Sequence, residues 1–176
     1  MEVRTYGTEH PKEHWEFIEE CKGKIAIDLG CGRWEKVEKR DPSWPTTPEW
    51  LVQKGASHVY AFDIDPEEVE WFNTNIDPIQ PITTTEKGIF NVEDAREIWN
   101  TYKPQIVKCD IEAYESHILE LTNEEFSTVE LWAIETHSDD LEEGFKQKFE
   151  ECGYELFAYI YLTHATHVKV LFAKKK

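Results

Sequence analysis

Hydrophobic residues along this chain come in short dense runs separated by longer amphipathic stretches. Ile25 to Ile27, His58 to Phe62, Gln105 to Val107 and Val129 to His137 are largely apolar and stop at polar or glycine-rich turns. Such runs suit central parallel strands, which are covered on both faces. The stretches between them carry helical signals. Pro11 to Cys21 puts Trp15, Ile18 and Cys21 on one stripe, with Pro11 fit for the first turn and Gly23 for the stop. Thr47 and Pro48 read as cap and first residue of a short helix, Glu49 to Lys54, and Glu67 to Asn75 reads as another after Pro66. Gly88 to Glu97 reads as a short strand running into a helix. Ser138 caps a helix through Cys152 whose buried face carries Leu141, Phe145 and Phe149, and Gly153 ends it. The last two runs, Tyr154 to Leu162 and Thr166 to Lys175, are joined by a short Thr-His-Ala loop and predict an antiparallel hairpin. The pattern predicts an α/β protein, a Rossmann-like doubly wound sheet closed by that hairpin.

Composition narrows the class. The 176 residues suit a single domain (1–176), and 40% hydrophobic with 13% aromatic residues argues for a packed core. A formal charge of -17 weighs against nucleic acid and against anionic membrane surfaces, since both are engaged through Lys and Arg. A local basic pocket is still compatible with that charge. Cys21, Cys31, Cys109 and Cys152 form no CxxC pair and read as reduced thiols. The charged first residues carry no leader-like apolar run, and no stretch approaches the ~20 apolar residues of a membrane span. The expectation is a soluble cytoplasmic protein.

The chemistry gathers at strand ends. In KIAIDLGCGRW, Lys24 to Trp34, a strand delivers Asp28 into a turn where Gly30 and Gly32 leave the backbone bare. A short helix and a second strand later, Asp63 ends its run, placed to accept hydrogen bonds from ribose hydroxyls. The intervening Glu35 to Thr46 is polar and interrupted by Pro42 and Pro45, so it is an insertion, over the pocket mouth or an ordinary surface excursion. Trp34, Trp44 and Trp50 near it are compatible with a stacking acceptor or with loop anchoring.

The first turn lacks the dinucleotide fingerprint GxGxxG, because Glu35 stands at the third glycine position. It resembles instead motif I of the class I S-adenosylmethionine-dependent methyltransferases, D-x-G-x-G-x-G, with Trp34 in place of the last glycine. GASHVYAFDIDP is similar to that superfamily's second motif and GIFNVEDARE to its third. KCDIEAYE, Lys108 to Glu115, is similar to K-I-D-V-E-G-A-E of the FkbM-type enzymes. Lys108, Asp110, Glu112 and Glu115 are retained; Ala113 and Tyr114 replace Gly and Ala. IETH, ending at His137, also resembles the FkbM pattern. The resemblance covers roughly residues 24 to 173 and implies strand order 3-2-1-4-5-7-6.

It also implies roles. The cofactor S-adenosyl-L-methionine, leaving as S-adenosyl-L-homocysteine, would be held by Asp28, Leu29, Gly30, Cys31, Gly32, Asp63, Ile64, Asp94, Ala95 and Asp110. Asp94 equally suits a plain helix cap. Catalytic candidates are Glu112 and His137, ahead of Asp110, because a hydroxyl acceptor needs a base. Glu112 and Glu115 could alternatively be structural pairing partners, with Lys108 neutralising one carboxylate. No metal ligands are assigned, although a divalent ion would be compatible with the carboxylates. His164 and His167 read as surface residues, His58 and His117 as structural. The expected acceptor is a small molecule or glycan hydroxyl; the absence of an Asn/Asp-Pro-Pro-Tyr run weighs against amino methylation. Two other classes stay open: a catalytically inactive S-adenosylmethionine-binding subunit and a nicotinamide-dependent oxidoreductase.

Overall fold

The structure, a computed structural model, describes residues 1–6, 17–32, 45–162 and 167–176. Its strands are β1 (Glu2–Tyr6), β2 (Ile25–Leu29), β3 (His58–Asp63), β4 (Ile82–Glu86), β5 (Ile106–Cys109), β6 (Leu131–Thr136), β7 (Tyr154–Leu162) and β8 (Lys169–Lys175). Its helices are α1 (Thr47–Gln53), α2 (Pro66–Asn75), α3 (Val92–Tyr102), α4 (Ser116–Leu119), α5 (Asn123–Phe126) and α6 (Asp139–Glu151).

One sheet runs β1-β7-β8-β6-β5-β2-β3-β4. From β4 inward this is the expected order 3-2-1-4-5-7-6, with β7 and β8 antiparallel and β2 to β6 parallel. An additional strand, β1, extends the sheet by pairing parallel to β7. The strand order reverses at β2, flanked by β3 on one side and β5 on the other. Ligands bind open α/β sheets at such a switch point, outside the carboxyl ends.

Alternate residues of β2 enter different cores, as strand geometry demands: Ile27 and Leu29 on one face, Ala26 on the other. The first face is aromatic. Trp132 stacks on Phe126 at 4.3 Å between ring centroids and on Trp99 at 5.8 Å, beneath Phe145 and Phe149 of α6. Full burial of each such side chain contributes about 1.5–3 kcal/mol.

The sequence-based expectations need four corrections. The third strand is Ile82–Glu86, not the stretch at Gly88; residues 87–90 are irregular. Its Thr83, Thr84 and Thr85 look like a polar loop, yet β-branched residues fit a half-buried pleat. The run that ends at Val107 in the sequence pattern continues through Lys108 and Cys109 to the end of β5, and no helix follows directly, because Glu112 and Ala113 adopt φ of +54° and +75°, which a right-handed helix cannot accommodate. Thr46, not Thr47, caps α1, through a reciprocal bond with Glu49. Of the expected N-terminal helix, residues 11–16 lie outside the described residues, and 17–21 form a turn and irregular backbone. Glu35 to Trp44 of the insertion also lies outside them, as do Trp34 and His164.

Candidate active site

At the carboxyl edge of β2 and β3 the backbone turns sharply at Gly30, where φ is +73°. A Cβ there would stand 1.7 Å from the Asp110 carbonyl oxygen, so the turn admits only glycine. The Gly30 and Cys31 N–H groups both donate to the Phe62 carbonyl, at 2.9 and 3.1 Å, and Gly32 N–H donates to Asp63 Oδ2 at 2.7 Å. Asp63 Oδ1 accepts from Asp65 N–H at 2.9 Å. Each oxygen of a carboxylate has two lone pairs, so Asp63 can still accept from a ligand's hydroxyls. A Cβ on Gly32 would meet that carboxylate at 2.7 Å, which keeps the space beside Asp63 clear of side chain.

Beneath the turn the site is closed. Asp28, Leu29, Cys31 and Ala95 are buried. Lys108 Nζ, also buried, lies 3.1 Å from Asp28 Oδ1 and 3.9 Å from Asp110 Oδ2, and donates to the Gly30 carbonyl at 2.6 Å. Burial alone would lower the Lys108 pKa, but Asp28 and Asp110 outweigh it and raise it, so the ammonium stays charged. This pair holds the underside of the glycine turn. Cys31 packs on Ala61 and Phe72, and burial followed by the Asp28 and Asp63 charges pushes its thiol well up, so it is an inert packing group.

Residues facing outward differ in character. Ile64 is exposed and approaches Gly88, where a Cβ would sit 2.4 Å from Ile64 Cγ2. Asp94 lies in the first turn of α3. Asn91 is the cap, accepting from Asp94 N–H at 3.1 Å, while the Asp94 carboxylate reaches back to Phe90 N–H at 2.9 Å. Phe90 stands edge-on to Tyr114 at 5.7 Å, and both are exposed.

The tips of β5 and β6 bring together the three catalytic candidates. His137 Nδ1 lies 3.1 Å from Oε1 of Glu115, a fully buried carboxylate that also accepts from Ile111 N–H at 2.8 Å. His137 Nε2 lies 3.3 Å from Glu135, 3.5 Å from Glu112 and 3.7 Å from Asp110. Partial burial acts to lower the imidazole pKa, but Glu115 and Glu135 overcome it and push it up to about 10. At neutral pH the ring is therefore a cation among carboxylates. Glu112 is 86% exposed at its side chain and is carried on left-handed backbone together with Ala113. Glu135 falls within the IETH stretch singled out from the sequence, but no site role is assigned to it there. Its spacing of two from His137 at a strand end places both on one face and was the available signal.

The other candidates lie elsewhere. His58 meets Thr83, His117 pairs with Glu120, and His167 is exposed. Trp50 packs against the second core with Lys54 Nζ 4.3 Å above its ring, an anchoring role. Among the described residues, no helix is long and apolar enough to cross a membrane.

This sheet order, with its terminal antiparallel hairpin, matches the Rossmann-like fold of solved methyltransferases. No protein-family model and no curated protein matches the sequence. Solved structures do. The chain is similar to the magnesium protoporphyrin IX methyltransferase of Synechocystis PCC 6803 with bound SAH, at 14% identity and a TM-score of 0.58, over 89% of this chain and 75% of that one. It is similar to the ribosomal protein L11 methylase of Lactobacillus delbrueckii subsp. bulgaricus, at 15% identity and 0.54, over 88% and 71%. It is also similar to the fibrillarin pre-rRNA processing protein of Methanococcus jannaschii, at 13% and 0.56, over 96% and 70%.

Proposed function

We propose that this protein is a cytoplasmic S-adenosylmethionine-dependent methyltransferase acting on a hydroxyl of a small molecule or glycan, of the FkbM-like kind. The observation that carries the reading is the glycine turn closed onto Asp63 at the sheet's switch point, one strand from the His137 cluster. The bound SAH of the Synechocystis neighbour supports the same cofactor here, and the KCDIEAYE motif supports the subfamily. Free thiols at Cys21, Cys31, Cys109 and Cys152 fit a reducing compartment.

In this reading the Gly30–Gly32 backbone would lie against the methionine portion of the cofactor, Asp63 would accept from the ribose hydroxyls, and Ile64 and Asp94 would border the adenine, with the fully buried Ala95 packing behind them. When bound, S-adenosylmethionine supplies an electrophilic methyl group on a sulfonium and leaves as S-adenosylhomocysteine. The chain's own task is alignment and proton removal. Glu112 takes the acceptor's proton, because it is a carboxylate reaching solvent. His137, held as a cation, stabilises the charge on Glu112 and its neighbours, and Asp110 orients the cluster from the β5 tip.

Calorimetric titration tests the cofactor. Binding of S-adenosylmethionine with no response to NAD is expected, and Asp63→Ala should weaken it at least tenfold. Tight NAD binding without S-adenosylmethionine binding would end the reading. Release of S-adenosylhomocysteine in a screen of hydroxyl metabolites then separates an enzyme from an inactive binding subunit.

A further inference from the structure

We propose that Asp110, Glu135 and His137 form a binding site for one divalent metal ion beside the glycine turn. One donor atom from each of these residues lies within 4.8 Å of the others. They come from adjacent parallel strand ends: Asp110 follows β5, Glu135 lies within β6 and His137 directly follows it. Glu135 and His137, two residues apart, share a face.

The spacing matches what an ion requires. Divalent ions hold N and O donors at about 2.1 Å, which puts neighbouring ligand atoms roughly 3.0–3.5 Å apart in octahedral or tetrahedral sets. His137 Nε2 lies 3.3 Å from Glu135 Oε1 and 3.7 Å from Asp110 Oδ1, so little contraction is needed. Glu112 Oε2, at 3.5 Å, stands beside the set without completing it.

The imidazole is also oriented for coordination. Metal-ligating histidines present one nitrogen to the ion and use the other against a carboxylate that fixes the ring. Here the fully buried Glu115 faces Nδ1 at 3.1 Å, which turns Nε2 towards Asp110 and Glu135. Neither Glu115 Oε2 nor His137 Nδ1 has a hydrogen-bond partner, so the two groups meet as an ion pair, which compensates the buried carboxylate together with the Ile111 N–H on Oε1. An ion on Nε2 would displace to solvent the proton that His137 carries in the metal-free protein and supply the same positive charge against Glu115. Glu115 is thus a positioning residue. Two carboxylates and one imidazole are a mixed hard and borderline set, suited to Mn²⁺ or Mg²⁺ over soft metals.

The ion's role rests on the methyltransferase reading, whereas its binding does not. Within that reading it polarises the acceptor hydroxyl, so the proton passes more readily to the Glu112 carboxylate. Three metal-coordinating side chains leave positions open for such an oxygen.

The test uses the full chain, freed of metal by chelation, and Mn²⁺ followed by loss of its free-ion paramagnetic resonance signal. Wild type should bind one Mn²⁺ per chain, competed by Mg²⁺. Glu135→Gln and His137→Gln, checked for folding by circular dichroism, should each weaken binding at least tenfold. Glu115→Gln should weaken it less. No binding by wild type up to millimolar Mn²⁺ overturns the site, and so does unchanged affinity in folded Glu135→Gln and His137→Gln. S-adenosylmethionine titrated into the same sample separates the two claims. Cofactor binding without Mn²⁺ binding sinks the metal site alone, while Mn²⁺ binding without cofactor binding sinks the methyltransferase reading alone.

Discussion

Two charge networks share the corner between β6 and α6, built from similar residues with opposite outcomes. In one, Lys169 pairs with Asp139 and Glu142, Lys146 also pairs with Glu142, and the Tyr159 hydroxyl donates to Glu142. Two lysines meet two acids. Burial acts to raise the Glu142 pKa, but its bonds from Lys146, Lys169 and Tyr159 prevail and hold it at about 2. In the other, one imidazole faces Asp110, Glu112, Glu115 and Glu135 and is pushed up to about 10. Matched charge gives each carboxylate its own cation and serves the fold. Crowded like charge costs stability and leaves an excess of carboxylate able to bind a further cation, which is what sites of chemistry need.

Removing one acid from each network is the sharpest way to break this contrast. Glu112→Gln should slow S-adenosylhomocysteine release by about 10²–10⁴-fold, the range for losing a general base. Its unfolding free energy should stay within about 0.5 kcal/mol of wild type, because the side chain reaches solvent. Full turnover by Glu112→Gln, or a stability loss comparable to that of Glu142→Gln, would erase the distinction.

Acid titration gives the next largest effect, carried by the matched network. Glu142 is held below its ordinary 4.5, at about 2, so it binds its proton more readily when unfolded. Its contribution is therefore present above pH 4.5 and drains away as pH falls towards 2. A shift of that size corresponds to roughly 3 kcal/mol. Urea unfolding at intervals from pH 6 to 2 should show that loss in wild type and a shallower decline in Glu142→Gln. Parallel curves for the two proteins would assign acid sensitivity to other carboxylates.

Much of this architecture was legible because it follows from short-range rules. The apolar runs at β2, β3 and β6 mark buried strands, and Gly30 and Asp63 fall where a switch-point site needs them. What escaped was set by partners far along the chain. Edge strand β1, EVRTY, carries polar residues and depends on pairing with β7. The threonines of β4 gain their strand from β3. Glu135 became visible as a site residue only when β6 was laid beside β5, which carries Asp110 at its tip. The replacement of glycine by Ala113 is visible in the motif, but its consequence for the backbone shows only in the φ of +75°.

That consequence gives the smallest effect and the finest probe of the crowded site. Ala113 is exposed and holds φ of +75°, beside Glu112 at +54°. A non-glycine residue in left-handed backbone costs about 1–2 kcal/mol, and glycine escapes most of it. An exposed Cβ contributes little packing, and the extra freedom of glycine in the unfolded chain takes back part of the relief. Ala113→Gly should therefore gain about 0.5–1 kcal/mol, a rise of roughly 1–4 °C in melting temperature for a chain of this size. The matched network should be untouched, with Glu142 keeping its acid transition. Strain that serves to hold Glu112 against His137 would then show itself in a second reading: turnover should fall as the melting temperature rises. A variant that melts lower than wild type would mean that the Ala113 methyl group supports the turn, and that Glu112 is held there by packing instead of by strained backbone.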